Sequence, residues 1–208
     1  MKKIYLFIGA GLLVAVFTFI FVRIAPDTAK MRQLQTITHF KIGEQVPEFE
    51  LIGLDGTPHH FSEVKGAIVM FHFWSAACPY VVRYNDRLNK IESDYTPKGV
   101  VVVGINSNAG ETAAQTQRVI DERGIHYPIL MDPGNKVADL FGAVTTPHVF
   151  IVDQKGTLVY SGAVDDQGWS KDNPVTKRYT EEVLNALIDG KPLPYVETKT
   201  AGCTVKRK

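Results

Sequence analysis

The chain has 208 residues, a length that suits one domain with appendages. Hydrophobic residues make up 45% and charged residues 22%, both ordinary for a globular fold, and the net charge of +1 gives no basic face on which a nucleic acid would settle. Two cysteines, Cys78 and Cys203, are too few for a disulfide scaffold, and the six histidines form no Cys/His cluster at zinc spacing, so neither a structural metal nor a cofactor is expected.

Lys2 and Lys3 precede an apolar run from Ile4 to Val22, closed by Arg23. As a helix this run spans roughly 28 Å, close to the hydrocarbon thickness of a bilayer. Residues 24–29 carry no small-residue cleavage site. Residues 1–23 are therefore expected to be an uncleaved single-pass anchor, with 24–42 as a linker. Lys2 and Lys3 favour a cytoplasmic N-terminus, against the pull of Arg23, Lys30 and Arg32, which places the rest of the chain outside the cytoplasm, in a periplasmic setting.

From Gly43 the pattern changes. Val46 to Leu51 alternates apolar and polar residues as an edge strand does, and Leu54 to Pro58 supplies turn chemistry. Ala67 to Trp74 is nearly all apolar, as in a strand buried on both faces. It runs straight into Cys78-Pro79 and a helix on which Tyr80, Tyr84, Leu88 and Ile91 recur at spacings of three and four. A second buried strand covers Val100 to Ile105. A helix over 112–123, a short strand over 128–131 and a helix over 135–141 follow. The segments 148–153 and 158–160 form a hairpin around Gly156, and Thr180 to Ile188 a final helix. This order predicts an α/β fold, its sheet parallel first and antiparallel at a later edge.

Cys78 ends a buried strand and opens a helix, and Pro79 fits the first helical position. A thiol there faces unpaired backbone N–H groups and the positive end of the helix dipole, which lower its pKa and make it a nucleophile. The alternative is a buried structural cysteine. Thr146-Pro147, directly before the strand at His148, is the second feature. A cis bond there would turn the chain sharply, whereas a trans edge proline would not.

Phe73-Trp74-Ser75-Ala76-Ala77-Cys78-Pro79-Tyr80-Val81 resembles the F-W-A-x-W-C-P-x-C motif of membrane-anchored thiol–disulfide oxidoreductases. It is also similar to the C-P-Y-V motif of a branch of the redoxin, or AhpC/TSA (alkyl hydroperoxide reductase/thiol-specific antioxidant), family. The likeness continues through Pro47-Glu48-Phe49, Asp55-Gly56, Gly99 to Asn106, Phe141-Gly142, Thr146-Pro147, Val152-Asp153 and Gly156, and covers roughly 43–190. The resemblance implies a thioredoxin fold, a central mixed β-sheet flanked by helices, with Cys78 at the active helix and Pro147 cis and facing it. Trp74, Ser75, Pro79 and Thr146 would then line the substrate groove. It implies an oxidoreductase of cell redox homeostasis whose partners are protein thiols and disulfides, or hydroperoxides, together with a thiol reductant.

One departure matters. Val81 stands where the dithiol motif needs its second cysteine, so no C-x-x-C disulfide can cycle. Gly202-Cys203 with its basic tail is similar to a Gly-Cys pair of the C-P-Y-V branch. The 13-residue step from Gly190 to Cys203 reaches roughly 40 Å when extended, so Cys203, within the tail 191–208, is either a resolving thiol for Cys78 or a free thiol on a mobile tail. A peroxidase is the alternative. Against the peroxiredoxin pattern P-x-x-x-T-x-x-C, Ser75 supplies a hydroxyl but Phe71 replaces the proline. Arg83 and Arg87 read as surface residues, His72 as a packed histidine, His59 and His60 as solvent-facing, and His148 as a neighbour that could approach the site. A third reading is a binding module with no chemistry.

Overall fold

The computed structural model describes residues 39–207; the run 4–22 and most of the expected linker lie outside them. Among the described residues no helix is long and apolar enough to cross a membrane.

The sheet grows from one strand. β3 (Ile68–Trp74) is buried along its whole length, as its apolar run requires. It pairs in parallel with β4 (Val100–Asn106), in register from Ile68 against Val100 to Trp74 against Asn106. On its other side it pairs antiparallel with β7 (His148–Val152), which forms a hairpin with β8 (Leu158–Gly162). β5 (Ile129–Met131) extends the parallel part beyond β4, and β1 (Glu50–Ile52) with β2 (Pro58–His60) closes that edge, giving the order β2-β1-β5-β4-β3-β7-β8. The expected strand over 46–51 is shorter than its alternation suggests. Only Glu50–Ile52 joins the ladder, while the amide of Val46 donates to the Gly156 carbonyl at 2.9 Å beside the hairpin turn.

Alternation along β3 and β7 divides the core. Met70, Trp74, Val149 and Ile151 pack against α1 (Pro79–Tyr95), through Val81, Tyr84, Leu88 and Ile91, and against Val183 and Leu184 of α4 (Tyr179–Ile188). Phe71, Phe73 and Phe150 face the other way, toward Phe141 of α3 (Lys136–Phe141), in edge-on aromatic contacts of 5.1 to 6.1 Å. α2 (Ala113–Arg123) starts at Thr112, whose hydroxyl accepts the Gln115 amide while the Gln115 side chain returns to the Thr112 amide, a closed capping box.

Two further strands escaped the periodicity because each is two residues long. β6 (Thr145–Thr146) lies just before Pro147, and β9 (Cys203–Thr204) lies in the tail. They pair antiparallel, Thr145 against Thr204 and Thr146 against Cys203. The tail is therefore docked against β6 in this structure.

Candidate thiol site

Three segments meet at Cys78. It is the N-cap of α1, in extended conformation, with Pro79 in the first turn, so its side chain sits where the helix presents unbonded amides. The Thr146–Pro147 bond is cis, and the Cys78 Sγ lies 3.1 Å from the Thr146 carbonyl oxygen. The backbone pairing of β6 with β9 then places Cys203 across from Thr146, on the strand next to the residue that the Cys78 sulfur contacts. Cys78 is 2% exposed, and both cysteines are free thiols.

The two thiols are electrostatically unequal. Burial opposes ionisation of Cys78. Hydrogen bonds from the Cys203 thiol, from Thr146 and from the amides of Val81 and Cys203 outweigh it, and the pKa falls below the ordinary thiol value. Cys203 moves the other way, up to about 11, through burial and through its hydrogen bond to, and the charge of, Cys78. Of the two thiols, Cys78 is therefore the one that ionises first.

The loop before Cys78 is held by Glu111, which sequence reasoning passed over. Its carboxylate accepts from the Ser75 hydroxyl at 2.6 Å, the Ala76 amide at 2.8 Å, the Ala77 amide at 3.3 Å and the Asn106 side chain at 2.8 Å. Arg123 donates to the Ala76 carbonyl at 3.0 Å. The only signal for Glu111 was its place one residue before the Thr112 cap.

Other expected site residues scatter. Thr146 and Pro147 border Cys78, and Pro79 is exposed beside it. The Ser75 hydroxyl is directed to Glu111 and not to the thiol. Trp74 is fully buried beneath α1, so it supports the site from below and offers no surface to a ligand. His148 falls with Phe150 on the face opposite α1, its ring 4.2 Å from that of Phe150 and its Nε2 3.1 Å from the Ser161 hydroxyl, and does not join the thiols. His72 is fully buried against Tyr127, as a packed histidine.

Arg83 and Arg87 are more than surface residues. Arg83 donates to the Gly168 carbonyl at 2.7 Å and lies over the rings of Tyr80 and Tyr84. Arg87 forms an ion pair with the fully buried Asp165, which also accepts the Tyr84 hydroxyl at 2.9 Å. Both tie α1 to the segment after β8. Among the described residues no group of three or more His, Cys, Asp or Glu side chains could hold a metal ion.

Known proteins resemble this chain in sequence and fold. Residues 42–161 match the AhpC/TSA family. Thiol-disulfide oxidoreductase ResA of Halalkalibacterium halodurans is 30% identical over 129 residues, 61% of this chain and 72% of that protein. The crystal structure of an uncharacterized conserved protein from Geobacillus kaustophilus superposes with a TM-score of 0.76 at 32% identity, covering 82% of this chain and 94% of that one. A putative thiol:disulfide interchange protein DsbE from Chlorobium tepidum shares the fold, with a TM-score of 0.57 at 20% identity over 73% of this chain and 97% of that one. The protein is an oxidoreductase with a thioredoxin-like α/β fold, and its chain belongs to the AhpC/TSA family.

Proposed function

We propose that the protein is a two-cysteine thiol–disulfide oxidoreductase in which Cys78 is the nucleophile and Cys203 the resolving thiol. The observation that carries this reading is the β6–β9 pairing, which sets Cys203 opposite Thr146 while the Cys78 sulfur at the N-terminus of α1 contacts the Thr146 carbonyl at 3.1 Å. The Cys78 thiolate attacks one sulfur of a substrate disulfide, forms a mixed disulfide and releases the other sulfur as a thiolate. That step removes the negative charge that held the Cys203 pKa up, so Cys203 becomes easier to ionise just when it is needed. It then attacks the Cys78 sulfur, expels the second substrate thiolate and leaves a Cys78–Cys203 disulfide. An external thiol reductant restores both thiols. The ResA relatives favour disulfide exchange over the peroxidase alternative.

The anchor proposed for residues 4–22 would hold the domain at a membrane on its extracytoplasmic side. The folded domain would begin near Gly43, and Thr146, Pro147 and Pro79 would border the substrate.

The test is quantitative thiol mapping during turnover. Cys78→Ser is expected to abolish disulfide reduction. Cys203→Ser is expected to retain the first step and accumulate the mixed disulfide on Cys78, seen as a mass adduct. Exchange that persists in Cys78→Ser, or a Cys203→Ser protein that turns over at the parent rate without an adduct, would sink the two-cysteine cycle.

A further inference from the structure

The C-terminal tail does more than deliver a thiol. It runs as a strap fixed on both sides of Cys203. Upstream, the Ser161 amide donates to the Val196 carbonyl at 3.0 Å, the Thr198 amide to the Ser161 carbonyl at 3.1 Å, and the Thr198 hydroxyl meets that of Tyr160 at 2.7 Å. Downstream, the Val205 amide donates to the Val144 carbonyl at 3.1 Å with the Val205 side chain buried, and Arg207 pairs with Asp139 at 2.8 Å.

Two glycines clear its path. A Cβ at Gly202 would stand 2.2 Å from the Thr146 carbonyl oxygen, and one at Gly162 would stand 2.1 Å from the Thr198 hydroxyl. No real Cβ tolerates either approach, so the strap fits only because both residues lack one.

The strap takes up the backbone of β6, the one strand that flanks Cys78 at Thr146. A polypeptide substrate laid in extended form against Cys78 needs the same backbone groups, since strand addition works through main-chain pairing. We infer that the strap is a resident strand that competes with extended polypeptides for β6 and so biases Cys78 toward compact, low-molecular-weight disulfides. A protein disulfide reacts only as the strap peels away, and its apparent reactivity falls by the fraction of time the strap is undocked. The inference rests on Cys78 being the exchange nucleophile, and concerns which disulfides reach it.

The experiment measures single-turnover reaction of the reduced full chain with two probes, insulin and glutathione disulfide. Gly202→Val unseats the strap at β6. Thr198→Val with Arg207→Ala loosens its two ends without touching the thiols. Hydrogen exchange at residues 198–207 confirms release in each, and the Cys203→Ser background removes any contribution from resolution. The expected result is a rise of roughly tenfold or more in the insulin-to-glutathione rate ratio in the released variants. An unchanged ratio with the strap shown released overturns the inference, and so does an equal rise for both probes, which would make the strap a mere cover. If Cys78→Ser reacts as well as the parent with both probes, the underlying assignment of the nucleophile fails instead.

Discussion

At the scale of single residues the site depends on unequal thiols and a carboxylate. Cys203 is a neighbour that helps to lower the Cys78 pKa, and its replacement by serine weakens that effect. The rate of Cys78 alkylation by iodoacetamide is therefore expected to rise at a higher pH in Cys203→Ser than in the parent. A profile unmoved by the substitution would mean that the helix N-terminus alone sets the thiolate. Glu111→Ala strands the Ser75 hydroxyl and the Ala76 amide, both part-buried, and is expected to lower stability by about 1–3 kcal/mol in urea unfolding. The place of Cys78 at the start of α1 was legible because a continuous apolar run leads straight into Cys78-Pro79 and a helical spacing follows. Glu111 was not, because its partners are backbone amides 34 and 35 residues away, and no local pattern marks an acid that folds back on another loop.

At the scale of elements the sequence declared what repeats and concealed what pairs. β3, β4 and α1 were readable from long apolar runs and from three-and-four spacing, whose period survives small errors at the ends. β6 and β9 are two residues each, and their identity as strands is settled by main-chain partners 57 and 59 positions apart. The attachment of α1 was likewise hidden. Arg87 looked like one of several charges on an exposed face, yet it meets an Asp165 carboxylate that has no solvent exposure. Arg87→Ala leaves that charge unpaired inside the protein and is expected to cost about 3–5 kcal/mol in denaturant unfolding. Replacing Arg87 and Asp165 together with apolar residues is expected to cost much less, a double-mutant cycle that isolates the pairing from the packing.

At the scale of the whole molecule, two buried histidines give stability a pH dependence. Burial lowers the pKa of His72 from 6.5 to about 3 and that of His148 from 6.5 to about 4. Both rings are neutral in the fold, while the unfolded chain takes up their protons below about 6.5. Stability is therefore full above that pH and declines as the pH falls through it toward 4 and 3. His72→Leu is expected to flatten this slope and to cost under about 1.5 kcal/mol at pH 7, because neither ring nitrogen has a hydrogen-bond partner to lose. A slope in urea-derived stability that is the same with and without His72 would assign the acid sensitivity elsewhere.

The strap also orders events in time. Synthesis runs from the N-terminus, and every strand of the main sheet is complete by Gly162, whereas Cys203 follows 41 residues later. The strands of the main sheet can therefore pair before the strap has been synthesised. Cys78 is thus made and placed before the segment that covers it exists.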